Sequence, residues 1–115
     1  MYHKDMEVWK KSIELVTKIY EITKEFPNDE KFGLISQIRR AAISIPSNIA
    51  EGAARNSDKE LVRFLDISLG SMAELETQLI IAENLKYLIN TNIYEDIKIT
   101  TALIAGLKKY LNSKN

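Results

Sequence analysis

The sequence predicts an all-α fold, an antiparallel up-down-up-down bundle of four helices. Three observations carry this. Apolar residues recur at helical spacing along nearly the whole chain. The 115 residues contain only two prolines and four glycines, too few for the many turns of an all-β fold. Turn and capping signals divide the pattern into four segments, at about residues 5–26, 30–55, 58–87 and 92–111. At this length they make one domain.

The first segment carries two adjoining apolar stripes. Trp9, Ile13, Val16 and Tyr20 recur at i, i+4, i+7 and i+11, and Val8, Leu15, Ile19, Ile22 and Phe26 form the other. Pro27 ends the segment, because the residue before a proline avoids the α region. Leu34, Ile38, Ala41, Ile45 and Ile49 keep the helical period in the second segment. Pro46 interrupts it, since its ring clashes with the carbonyl of Ala42 and it donates no hydrogen bond. The expectation is a kink eased by Ser44 or Ser47, with a break into two helices as the alternative.

Ser57-Asp58-Lys59-Glu60 reads as a capping box. The third helix then runs through Leu61, Leu65, Ser68, Met72, Leu75, Leu79 and Ala82, with a second stripe of Val62, Leu69, Ala73, Glu76 and Ile80. Asn90-Thr91-Asn92 is a turn signal, and Asn92 with Glu95 could cap the fourth helix. That helix carries Ile93, Ile97, Ile104, Leu107 and Leu111, followed by a polar tail that should fray. One buried face of about 100° suffices for a helix in an isolated bundle. Doubled stripes therefore predict either a deeply buried first helix or burial against another subunit.

Sixteen basic and sixteen acidic side chains cancel. That excludes a uniformly polybasic nucleic-acid binder and an acidic disordered tail. Without cysteine there is no disulfide framework, thiolate zinc site or cysteine nucleophile. His3 is the one histidine, so no two-histidine metal site exists and a Ser–His pair would depend on a terminal residue. Glycine-rich phosphate loops and Glu-x-x-His pairs are missing as well. The expectation is a non-enzymatic protein without metal, cofactor, catalytic residues or small-molecule substrate. The opening residues lack the apolar core of a signal peptide, and no apolar run reaches the roughly 18–20 residues of a membrane span. A cytoplasmic protein with no membrane partner is expected.

Charge is nevertheless uneven. Arg55, Lys59 and Arg63 cluster about the turn between the second and third helices, where repetition in an oligomer could build a phosphate-binding rim. Arg39 and Arg40 stand among small and branched apolar residues. In an antiparallel pairing of helices two and three, Arg39 lies level with Glu74 and Arg40 with the stretch from Ala73 to Glu76. Glu51 lies level with Val62 and Arg63, and Ala41-Ala42 meets Gly70-Ser71, allowing close approach. Arg39, Arg40, Glu51, Glu74 and Glu76 are thus candidates for structural ion pairs. The competing reading has Arg39 or Arg40 contact nucleic acid.

Several stretches resemble a known family. They are Asp5-Met6-Glu7-Val8-Trp9-Lys10, Phe32-Gly33-Leu34, Ser36-Gln37-Ile38-Arg39-Arg40-Ala41-Ala42, Ile45 to Gly52, and Leu69 to Leu79. They resemble the bacterial four helix bundle proteins encoded within 23S rRNA intervening sequences, over about residues 5–111. The resemblance implies an antiparallel bundle, a homopentameric ring and no enzymatic activity. A relative, the accessory variability determinant protein of diversity-generating retroelements, is a pentameric barrel that binds nucleic acid and a reverse transcriptase. Arg39, Arg40, Asn48 and Glu51 match the family motif. The function this implies is a homo-oligomer that binds RNA or a nucleoprotein through a basic rim. The alternative is a protein-interaction scaffold without nucleic acid.

Overall fold

A computed structural model of the chain describes residues 2–88 and 91–114. A short 3-10 turn, His3–Asp5, precedes α1 (Glu7–Thr23). A second 3-10 turn, Asn28–Glu30, leads to α2 (Leu34–Ala53), then α3 (Asp58–Asn84) and α4 (Ile93–Ser113). No strand occurs among the described residues.

The helix ends differ from the predicted ones for local reasons. α1 stops at Thr23, where the N–H groups of Glu25 and Phe26 bond three residues back and tighten the chain. α2 begins only at Leu34, because Gly33 is non-helical and the Glu30 carboxylate accepts the Leu34 N–H at 3.2 Å. α3 stops at Asn84. Lys86 takes a left-handed φ of 69°, and the Tyr87 N–H closes on the Ala82 carbonyl at 2.9 Å, a termination usually made by glycine. Ser57 accepts the Glu60 N–H at 3.2 Å, but the Glu60 carboxylate turns to Arg63. At α4 the cap is Thr91, whose Oγ1 accepts the Ile93 N–H at 3.1 Å; the Asn92 side chain does not cap. Asn90 lies outside the described residues, as does Asn115 of the expected frayed tail, whereas Asn112 and Ser113 are helical.

The paired stripes separate by depth. Val8, Leu15, Ile19 and Phe26 of the first segment are buried, whereas Trp9, Val16 and Tyr20 are half-buried and Ile13 is exposed. In α3 the stripe from Leu61 to Ala82 is core, while Val62 and Leu69 are half-buried and Ala73, Glu76 and Ile80 are exposed. Each fully buried Leu or Ile contributes roughly 1.5–3 kcal/mol of transfer free energy.

Each helix packs on two neighbours. α1 and α3 both pack against α2 and α4, and among the described residues α1 stays clear of α3 and α2 stays clear of α4. The flank formed by α1 and α2 is therefore opposite the flank formed by α3 and α4. Ser68 donates to the Ile45 carbonyl at 3.0 Å, and the Ser44 and Ser71 hydroxyls share a hydrogen bond of 2.8 Å. Lys108 meets Asp66 at 2.6 Å and Lys114 meets Asp58 at 3.2 Å. Numbers rise along one helix as they fall along the next in both pairs.

The tight approach between α2 and α3 is at Gly52, not at Gly70. A Cβ on Gly52 would lie 2.7 Å from Phe64 Cβ and 3.0 Å from Leu61 Cδ1, whereas a Cβ on Gly70 would meet nothing within 4 Å. α2 runs unbroken through buried Pro46. Nearby, Asn48 Nδ2 donates to the Ser44 carbonyl at 2.8 Å and to its hydroxyl at 2.9 Å. Ser44 thus ties α2 to α3.

Candidate functional site

The turn between α2 and α3 carries the three cations singled out as a phosphate-binding rim. Asn56, at φ 56°, reverses the chain, and Ser57 starts the next helix. Arg55, Lys59 and Arg63 all project to solvent. Two of them are already engaged. Arg55 Nη2 donates to Glu51 at 3.3 Å, so Glu51 pairs with its own helix neighbour. Arg63 makes two hydrogen bonds to the Glu60 carboxylate, at 3.1 and 3.3 Å. The Arg63 hydrogen bonds and charge hold the Glu60 carboxyl below its ordinary range, and the same bonds raise the Arg63 guanidinium. Both guanidinium groups also lie over the Phe64 ring, at 5.2 and 4.5 Å from its centroid. Lys59 has no hydrogen-bond or ion-pair partner among the described residues. The rim is therefore nearly charge-balanced, with Lys59 as its surplus cation.

Arg39 points away from Glu74. Its Nε donates to Thr23 Oγ1 at 2.9 Å and its Nη2 to the Tyr20 carbonyl at 3.4 Å, both on α1. The guanidinium also lies 4.3 Å from the Tyr20 ring centroid. The sequence register concerned only the pairing of α2 with α3 and said nothing of α1, the neighbour that Arg39 reaches. Arg40 is exposed and has no hydrogen-bond or ion-pair partner among the described residues. Glu74 is exposed and accepts from Gln78 at 3.3 Å. Glu76 is exposed too, so its place in an apolar stripe did not signify burial. No ion pair joins these arginines to these glutamates among the described residues.

Two grooves lie on opposite flanks. On the α1/α2 flank, Trp9, Ile13, Val16, Ile43, Pro46 and Ala50 line a shallow apolar groove. Of its lining residues, Ile13 and Ile43 are 38% and 43% exposed. On the α3/α4 flank, Leu69, Ala73, Ala102 and Ala105 line a wider groove of about 510 Å³, with Glu76 and Lys98 along it. Tyr94 also lines this groove, and its hydroxyl is buried with no hydrogen-bond partner among the described residues. Burial raises the Tyr94 phenol, and the charges of Glu83 and Glu76 add to this.

One polar tie had no clear signal along the chain. Tyr87 donates to Glu30, joining the α3–α4 turn to the α1–α2 turn. His3 stacks edge-on against Trp9 with ring centroids 5.2 Å apart, so it packs as an aromatic neighbour. Among the described residues no cluster of three histidine, cysteine, aspartate or glutamate side chains could hold a metal ion. Among them, too, no helix is long and apolar enough to cross a membrane.

The chain is similar to a crystallised protein of unknown function from the S23 ribosomal protein family of Bacteroides thetaiotaomicron. The two share 28% identity over 92% of this chain and 95% of the other, with a TM-score of 0.65. Among curated proteins none matches. Residues 4–111 match the 23S rRNA-intervening sequence protein family. With that match spanning nearly all of the four helices, the chain belongs to the 23S rRNA-intervening sequence protein family.

Proposed function

We propose that this protein is a non-enzymatic, self-assembling helical scaffold: an antiparallel up-down-up-down bundle, bent at Pro46, that closes into a homo-oligomeric ring. The observation that carries the reading is the presence of exposed apolar side chains on both opposite flanks, Ile13 and Ile43 on one and Ala73 and Ile80 along the other. Two different sticky faces suit a head-to-tail contact, and such a contact forms a ring when its rotation closes. Five subunits is the number implied by the resemblance to the pentameric bundles. The falling-against-rising register of α2 with α3 and α3 with α4 supports the antiparallel topology. Light scattering of the full chain tests assembly. The expected result is a mass several times 13.2 kDa, and a 13.2 kDa species at micromolar concentration would overturn the reading.

A second reading, RNA or nucleoprotein binding in the cytoplasm, is favoured by the exposed Arg55, Lys59 and Arg63 cluster and by the family's association with 23S rRNA intervening sequences. Because Glu51 and Glu60 offset two of these cations, each subunit contributes little, and affinity would come from repetition around the ring. Binding to an rRNA fragment is then expected to weaken steeply with salt, as released counterions dictate. Absence of binding at low salt by an assembled protein would leave the scaffold reading alone.

A further inference from the structure

We propose that the α1/α2 flank of one copy docks on the α3/α4 flank of a second copy, with Ile43 seated against the Leu69–Ala105 groove and Arg39 facing Glu76. The proposal rests on the self-assembly reading and adds to it the two surfaces and their pairing.

Shape is the first argument. Ile13 and Ile43 are exposed on the α1/α2 flank, and Ala73, Ala102 and Ala105 line the α3/α4 groove beside Leu69 and over buried Met72 and Ile97. A branched side chain laid against the Leu69, Ala73, Ala102 and Ala105 part of this groove removes apolar surface from water on both sides.

Height is the second argument. Ser44, next to Ile43, is hydrogen-bonded to Ser71, which lies between Leu69 and Ala73. Ile43 and the α3/α4 groove are therefore level along the bundle, although on opposite flanks. About one helical turn from this contact, the Ser44–Ser71 and Ile45–Ser68 hydrogen bonds put Arg39 on α2 level with the stretch from Glu74 to Glu76 on α3. Rotation about an axis parallel to the bundle, the operation that builds a ring, preserves height. It carries Ile43 to the groove and Arg39 to Glu76 in the same movement.

Charge is the third argument. Arg39 is held by Thr23 and Tyr20, both uncharged, and its Nη1 donors have no partner among the described residues. α2 has no acidic residue before Glu51, and α3 has no basic residue after Arg63. Glu76 lines the same groove as Tyr94 and Lys98, yet it pairs with no cation among the described residues. A guanidinium turned to α1 on one flank and a carboxylate along the groove on the other are complementary across copies and do not pair within one chain.

The test is a charge-reversal cycle on the full chain, read as the concentration at which the assembly dissociates in light scattering at low salt. Arg39→Glu and Glu76→Arg are each expected to raise that concentration about tenfold or more. The double variant should lie well below the product of the two effects. Within one chain Arg39 turns to α1 and Glu76 lines the α3/α4 groove, so such coupling reports a contact across copies. Ile43→Arg with Ala105→Glu repeats the cycle at exposed positions, which guards against loss of the α1–α2 contacts that Arg39 makes. A wild-type chain that is monomeric throughout overturns both this interface and self-assembly. An assembled wild-type chain whose reversals are without effect, or simply additive in both cycles, overturns the interface and leaves self-assembly standing.

Discussion

The Tyr87 hydroxyl donates to the Glu30 carboxylate at 3.0 Å, bridging 57 positions of sequence. The same carboxylate accepts the first N–H of α2, from Leu34, at 3.2 Å. One side chain thus caps a helix and ties the two turns at one end of the bundle. The Tyr87 ring also packs on Phe26, with centroids 5.7 Å apart.

Tyr87→Phe should keep the ring contact and lose the tie. The expected outcome is a lower Tm with unchanged helical circular dichroism at low temperature. The Glu30 hydrogen bond raises the Tyr87 phenol above its ordinary value of 10.0, with burial and the Glu30 charge adding to it. A folded-state pKa above the unfolded one means that the tie stabilises fully below about pH 10 and is lost as pH rises through the folded value. The difference in Tm between wild type and Tyr87→Phe should therefore shrink in alkaline solution.

Gly52 and Gly70 should respond oppositely to alanine. A methyl at Gly52 would press on Phe64 Cβ and Leu61, so Gly52→Ala is expected to destabilise by about 1–3 kcal/mol. Gly70 is helical and uncrowded, so Gly70→Ala should stabilise by roughly 0.5–1 kcal/mol. Urea denaturation of both variants measures the two signs.

The cap of α4 gives a second contrast. Thr91→Ala removes the acceptor for the Ile93 N–H and should cost about 1 kcal/mol. Asn92→Ala removes no capping hydrogen bond and should cost less in the same denaturation experiment.

If the rim binds RNA, its acidic partners should restrain it. Glu60→Gln frees Arg63, and tighter binding to an rRNA fragment is expected, with a steeper salt dependence. Lys59→Gln should weaken binding more than Arg63→Gln does, because Lys59 has no competing carboxylate to release. Filter binding at several salt concentrations checks both orders.

The periodicity of Leu61, Leu65, Met72, Leu75 and Leu79 is legible without coordinates, and all five are buried. The same periodicity marked Trp9, Ile13, Val16 and Tyr20 as strongly as Val8, Leu15 and Ile19, and only packing separated the half-buried from the core set. A helical wheel reports that a face is apolar, and the neighbouring helices decide whether that face is covered. The candidate rim shows the same limit. Its three cations were visible along the chain, as were Glu51 and Glu60 one turn from Arg55 and Arg63. Their pairing follows from i, i+4 and i, i+3 spacing and flattens the basic patch.

The sequence by itself determined that the chain is helical, where three of its turns lie, and which family it belongs to. Those properties depend on spacing, caps and motif residues that are local in the chain. The tertiary structure decided that Gly52 rather than Gly70 marks the close approach, and that Arg39 turns to Tyr20 and Thr23 rather than to Glu74. The physical reason is direction. A helix offers Arg39 two neighbours at the same height, and only the packed bundle specifies toward which of them its side chain leans.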